Sequence, residues 1–265
     1  MQRITSRQNP IVTRFRAAAR GDDEAMLLDG THLVGEALTA GIRLEQVLVD
    51  IEAAAHPEIE EILGRLPHAV QVAEGSAGVM DAASPVRSSS AIVALASRPA
   101  RATDLLARPS PLVVVLCDIQ DPGNVGAILR VTEAAGAHGA ILTGQTADPF
   151  GWKALRGSMG SALRLPLQFV PDAADVIAAA RAHQVHIVAT VPRDGVPLFD
   201  SDLSEATALF IGGEGPGLPQ SALDAADVRV TIPMEPPVES LNASVAAAVL
   251  LYEARRQRAR PLAAT

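Results

Sequence analysis

The sequence predicts an α/β fold, a parallel sheet with helices on both faces in the C-terminal part, preceded by a smaller α/β unit. Three observations carry this. Short apolar runs at 112–116, 140–143, 167–170, 185–190 and 209–211 alternate with helical stretches, as strands covered on both faces do. A proline-rich stretch at 99–111 separates these runs from an earlier set with the same alternation. The 265 residues are 48% hydrophobic, enough for one large core or two modest ones.

The boundaries predicted are a first domain over 1–98, a linker over 99–111 and a second domain over 112–265. In the first domain, Asn9 as cap and Pro10 at the first helical position start a helix to residue 20. Strands are expected at 26–28, 47–49, 70–72 and 91–95, with helices at 31–40 and 57–63. In the second, the strand at 112–116 runs into Asp121-Pro122-Gly123-Asn124 and a helix. Ile128, Val131 and Ala135 share one face of that helix, while Gly126, Arg130 and Glu133 share another.

The two loops nearest the C-terminus stand out. The strand at 209–211 stops at Gly212-Gly213-Glu214-Gly215-Pro216-Gly217, where four glycines free the backbone to approach a ligand closely. The strand at 228–232 ends at Pro233-Met234 and leads through Ser240-Leu241 to Asn242, a good N-cap. In the helix that follows, Val245, Ala248, Val249 and Tyr252 recur at helical spacing and are expected to be its buried face. Arg255, Arg256 and Arg258 complement its negative end, and Pro261 ends it.

Composition excludes several function classes. The only lysine is Lys153, so the glycine loop is no phosphate-cradling P-loop, and the spacing fails the dinucleotide fingerprint. His183 and His186 lack partners in sequence for a metal site. One cysteine, Cys117, precludes an internal disulfide and fits a reducing cytoplasm, and no membrane span or signal peptide is expected. Net charge is −8, yet residues 1–20 hold five arginines and no acid, and residues 255–265 hold four, leaving 13 basic against 30 acidic residues between them. Aromatics are only 3%, and Trp152 beside Lys153 is the one pair that looks able to stack on a base.

The three loops together resemble the SpoU/TrmH branch of the SPOUT RNA methyltransferases. Its motifs are matched in order by residues 121–130, ending at Arg130, by 209–217, and by 232–234 with 240–246. The resemblance implies a SPOUT domain with a trefoil knot near the C-terminus, preceded by a ribosomal-protein-like RNA-binding domain. Two departures are visible in the first domain: Asp29-Gly30 stands where the family commonly has Glu-Gly, and Ser88-Ser89-Ser90 where it often has Gln-Gly.

By resemblance, S-adenosylmethionine is the cofactor, held by Thr190, Gly212, Ile232 and Leu241, and a ribose 2′-hydroxyl of RNA is the methyl acceptor. Arg130 is the family's catalytic arginine, and Asn124, Glu214, Ser240 and Asn242 would orient it and the ribose. Ribosomal RNA is expected before transfer RNA, and a homodimer packed through the knot region is implied, without metal or membrane. The alternatives are a transfer-RNA 2′-O-methyltransferase and an RNA-binding protein of this fold that has lost catalysis.

Overall fold

The computed structural model describes residues 1–213, 215 and 217–259, so Glu214 and Pro261, both singled out in the sequence, lie outside the described residues. The chain divides into two units, Met1–Ala100 with Asp148–Arg164, and Arg101–Ala147 with Leu165 onward.

The first unit is built on five strands, β1 (Gln2–Ile4), β2 (Met26–Asp29), β3 (Leu44–Asp50), β4 (Gln71–Gly75) and β5 (Ile92–Ala96), in the order β1-β4-β3-β5-β2. Four helices connect them: α1 (Pro10–Arg20), α2 (Thr31–Thr39), α3 (Pro57–Gly64) and α4 (Ala77–Ala83). The start signal of α1 operates as read, with the Ile11 amide donating to Asn9 Oδ1 at 2.9 Å. The arginines of α1 are not a free basic arm. Arg14 binds Asp23 and Glu45, Arg16 donates to the Ala82 carbonyl, and Val12 and Phe15 on the same helix are fully buried.

In the second unit the chain passes β6 (Leu112–Cys117), α5 (Pro122–Ala134) and β7 (Gly139–Thr143). It then returns to the first unit for α6 (Trp152–Ser158) and α7 (Ser161–Arg164), where α6 packs on β2. Back in the second unit come β8 (Leu167–Phe169), α8 (Ala173–Ala182), β9 (His186–Thr190), β10 (Val196–Pro197), β11 (Thr207–Gly212), α9 (Gln220–Ala225), β12 (Val228–Thr231) and α10 (Ala243–Arg258). The seven strands run in the order β10-β12-β9-β11-β6-β7-β8, and every pair is parallel. All six residues of β6 are buried, as a central strand with both faces covered requires.

Two expectations are corrected. The stretch 99–111 is not a free linker, because Leu105 and Leu106 are buried in the core of the second unit and the Ala102 amide donates to the Leu167 carbonyl. The second domain is also not continuous from 112, since residues 148–164 group with the first unit.

A third correction concerns α10. Its buried residues include Ala247, Leu250, Leu251 and Ala254, whereas Val245 and Tyr252 are 48% and 51% exposed. The helix is apolar on two sides, and it packs alongside α5. Its basic end is structural. Arg255 donates to the Ala134 carbonyl, and Arg258 donates to the carbonyls of Leu203, Ser110, Pro111 and Glu205, tying the helix to the segments that lead into β6 and β11.

His138 aligns β7 with β6. Its Nδ1 accepts from the Leu112 amide at 3.0 Å, and its own amide donates to the Leu112 carbonyl at 2.8 Å. Burial, with the positive charges of Arg108 and Arg258, holds the imidazole below its ordinary pKa. A depressed folded value means that the unfolded chain takes up the proton first. The contribution of His138 is therefore complete above the ordinary value of about 6.5 and is lost as pH falls through the lower folded value. Urea unfolding at a series of pH values should show stability declining in that window, and His138→Asn, which keeps an acceptor without a titration, should flatten the decline.

Candidate functional site

The site lies where the parallel strands of the second unit end. In such sheets the loops beyond the carboxyl ends of the strands form the natural crevice. Here the ends of β9, β11 and β12, with the start of α10, enclose a cavity of about 320 Å³. Thr190, Gly212, Ile232, Leu241 and Ser240, all named from the sequence, line it. The sequence reading did not assign Pro192, Leu218, Ala246 or Leu250 to it. Met234 also lines it, and its place in the Ile232-Pro233-Met234 run was the one available signal.

Among the described residues the lining carries no charged side chain. It offers apolar surface from Ile211, Leu218, Val230, Ile232, Met234 and Leu250, together with backbone groups and the hydroxyls of Thr190 and Ser240. That donor set suits a ligand without phosphate, held by shape and backbone hydrogen bonds. A nucleoside joined to an amino acid, as in S-adenosylmethionine, meets this description.

Gly212, Gly213, Gly215 and Gly217 all line the cavity, and for the first two the missing side chain has a second reason. A Cβ on Gly212 would lie 2.4 Å from the Gly217 carbonyl carbon, and one on Gly213 would lie 2.2 Å from the Asp118 carbonyl oxygen. These two positions are cleared for the protein's own backbone as well. The chain just past β11 lies against the chain just past β6, where the Gly213 amide donates to the Cys117 carbonyl at 2.9 Å and continues the pairing of the two strands. Asp118 sits at φ +55°, a left-handed conformation uncommon for a residue with a side chain, and its carboxylate accepts from the Gln145 amide at 2.7 Å.

Beside the cavity, α5 and α10 begin together. The Asp121 side chain caps α5 by accepting from the Asn124 amide at 2.8 Å, and Asn242 caps α10 by accepting from the Ser244 amide at 2.9 Å. Asn242 Nδ2 donates to Asn124 Oδ1 at 2.9 Å, so the two predicted asparagines meet directly. Neither Asn124, Asn242 nor Arg130 lines the cavity.

Arg130 is exposed, and among the described residues no hydrogen-bond or ion-pair partner reaches it. It stands about 9 Å farther along α5 than Asn124, at about 1.5 Å per residue. Cys117, fully buried at the end of β6, has its thiol pushed up to about 11, chiefly by burial, and stays protonated. No group of three or more His, Cys, Asp or Glu among the described residues is placed to hold a metal ion.

Residues 111–252 match the model of the SpoU rRNA Methylase family. An uncharacterized tRNA/rRNA methyltransferase of Synechocystis is 34% identical over 96% of this chain and 94% of its own. A 23S rRNA guanosine-2′-O-methyltransferase of Bacillus subtilis is 30% identical over 96% of this chain and 100% of its own. Among solved structures, the SpoU methyltransferase AviRb of Streptomyces viridochromogenes, in complex with the cofactor AdoMet, is 28% identical and superposes with a TM-score of 0.86. That match covers 96% of this chain and 99% of the other.

Gly213→Ala forces a methyl group into the Asp118 backbone, an overpacking whose cost is on the order of 3 kcal/mol. Thermal unfolding should show a clearly lowered Tm, and calorimetry should show lost affinity for S-adenosylmethionine. A wild-type Tm in this variant would mean that the close approach is looser than described.

Proposed function

Because the chain belongs to the SpoU rRNA methylase family, we propose that it transfers a methyl group from S-adenosylmethionine to a ribose 2′-hydroxyl of RNA, with ribosomal RNA as the substrate. The observation that carries this is the cavity at the strand ends, lined by four residues expected to hold the cofactor and by Ser240, with no charged side chain among the described lining residues. When bound, S-adenosylmethionine supplies an electrophilic methyl carbon, and the protein's own residues do the rest.

Thr190, Gly212, Ile232 and Leu241 hold the cofactor, largely through backbone groups. Arg130 acts as a hydrogen-bond donor rather than as the base. It lowers the cost of forming the alkoxide and holds a neighbouring phosphate, and the proton passes to that phosphate or to water. Asn124 and Asn242, hydrogen-bonded to each other, place the starts of α5 and α10 around the ribose with Ser240. Glu214 belongs to the same set by its place in the glycine loop.

The active form is a homodimer. Its support is the exposed apolar side of α10, with Leu241, Val245 and Tyr252, together with an Arg130 that does not line the cavity of its own chain. A second copy packed on α10 completes the site. The knot implied by the family belongs to this reading, with the glycine-cleared close approach at Gly213 consistent with it. The first unit is the RNA-binding domain, and the buried, reduced Cys117 fits work in the cytoplasm. Ribosomal RNA is preferred to transfer RNA because the Bacillus subtilis relative, named for 23S rRNA, is matched over its whole length.

Arg130→Ala should keep cofactor affinity and lose methyl transfer, and Arg130→Lys should recover little, because a point charge does not reproduce the planar fork. With radiolabelled cofactor, product RNA digested in alkali should leave the label in resistant dinucleotides, since methylation removes the internal nucleophile. Label in mononucleotides would refute ribose as the acceptor.

Val245→Glu with Tyr252→Glu should convert a dimer to a monomer in light scattering and abolish methyl transfer. An unchanged mass would place the dimer interface elsewhere.

A further inference from the structure

The segment that returns to the first unit carries a surface that the proposed chemistry does not use. Residues 148–164 hold Lys153, Arg156 and Arg164 against one acid, Asp148, which pairs with Arg98, in a chain whose net charge is −8. On α6, Ala154, Leu155 and Ser158 are buried, so the helix turns its other side outward. Trp152 and Arg156 are four residues apart and Lys153 and Arg156 three, which makes the three side chains neighbours. Trp152 is half-buried, and Lys153 and Arg156 are exposed. Lys153 Nζ lies 5.6 Å from the centre of the Trp152 ring.

Arg156 joins this group to a loop. Its guanidinium is 4.0 Å from the carboxylate of Asp29, whose side chain is almost wholly buried. The same carboxylate accepts from Ser84 Oγ at 2.6 Å and from Ser90 Oγ at 2.5 Å. One buried carboxylate thus pins both ends of the loop that carries exposed Arg87 and Ser88. The long ion pair with this carboxylate leaves the Arg156 side chain 49% exposed, with outer donors toward solvent where an anion can meet them. His32 Nε2, donating to the Met159 carbonyl at 3.2 Å, fixes the far end of α6 to the start of α2.

We propose that Trp152, Lys153 and Arg156, with Arg87 of the pinned loop, form a docking surface for a single-stranded segment of the RNA substrate. A base stacks on the indole, and the cations hold the phosphates on either side of it. Charge complementarity selects this occupant: Lys153 and Arg156 neighbour the chain's only indole on α6, Arg87 stands exposed on the loop pinned by Asp29, and the exposed acid before the helix, Asp148, is paired with Arg98. Stacking on an aromatic ring between phosphate contacts is how single strands are held without reading their sequence. The inference rests on RNA being the substrate, and Asp29 is the positioning residue for the loop.

Trp152 is the only tryptophan, so its emission reports on this surface alone. Titrating the wild-type protein with protein-free ribosomal RNA should quench that emission along the same curve as filter binding. Trp152→Ala should weaken binding about tenfold. Lys153→Glu, which leaves Arg156 and Asp29 in place, should weaken it and lower the salt slope by roughly 0.7 for the lost phosphate contact. Cofactor affinity should stay at the wild-type value in both variants. RNA retained on the filter with unchanged emission and wild-type affinity in the variants would overturn the inference while leaving the methyltransferase reading intact. Failure of the wild type to retain any RNA would overturn both. A change of molecular mass in Lys153→Glu at unaltered RNA affinity would assign the surface to a second copy of the chain, and the inference would fall.

Discussion

The second unit depends on one close approach, the loop after β11 lying on the loop after β6 where Gly213 meets the Asp118 carbonyl. Nothing larger than a hydrogen atom fits there. The contact fixes the end of β11, and with it the Gly212–Gly217 wall of the cavity. It also fixes the loop that caps α5, because Asp118 and Asp121 belong to the same short turn. A contact between two backbones tolerates no repacking, unlike a contact between side chains, which can adjust rotamers. The cavity therefore inherits its shape from main chain, which suits a ligand recognised mainly by backbone groups.

Charge is distributed with corresponding economy. Most of the arginines at the two ends of the sequence are engaged inside the protein, with Arg14 on a pair of acids and Arg258 on a ring of carbonyls. Arg258 sits in a partly desolvated place, which lowers its pKa, yet a guanidinium starts so high that it stays charged. Arg130 on α5 and Lys153 and Arg156 on α6 are exposed cations outside those two ends. An acidic protein can work on a polyanion in this way if its uncommitted positive charge is concentrated where the polyanion must lie.

Much of this was legible in the sequence. Alternating runs gave the parallel sheet, since a strand covered on both faces leaves a continuous apolar signature, as β6 does. Caps such as Asn9 and Asn242 were readable because their chemistry is local. The lining residues Thr190, Gly212, Ile232 and Leu241 were reached through the family resemblance, and the structure sets them at the ends of β9 and β11, just past β12 and just before α10. What stayed hidden was long-range. The buried side of α10 was misread because Val245 and Tyr252 repeat as regularly as Leu250 and Ala254, and periodicity does not say which face another element covers. Leu105 and Leu106 were lost in a proline-rich stretch that looked like a linker. The second purpose of Gly212 and Gly213 could not be read, because a glycine reports only that space is needed and not what fills it.

The return of residues 148–164 to the first unit has a consequence for synthesis. A chain leaves the ribosome at about 5–20 residues per second, so the first hundred residues are out several seconds before α6 and α7. Until then β2 lacks the helix that packs on it, and the apolar side chains Ala154 and Leu155 have no counterpart. The N-terminal unit is therefore committed to waiting for a piece made after the first two strands of its neighbour. The two units mature in an interleaved order, and no single cut of the polypeptide separates one finished unit from the other.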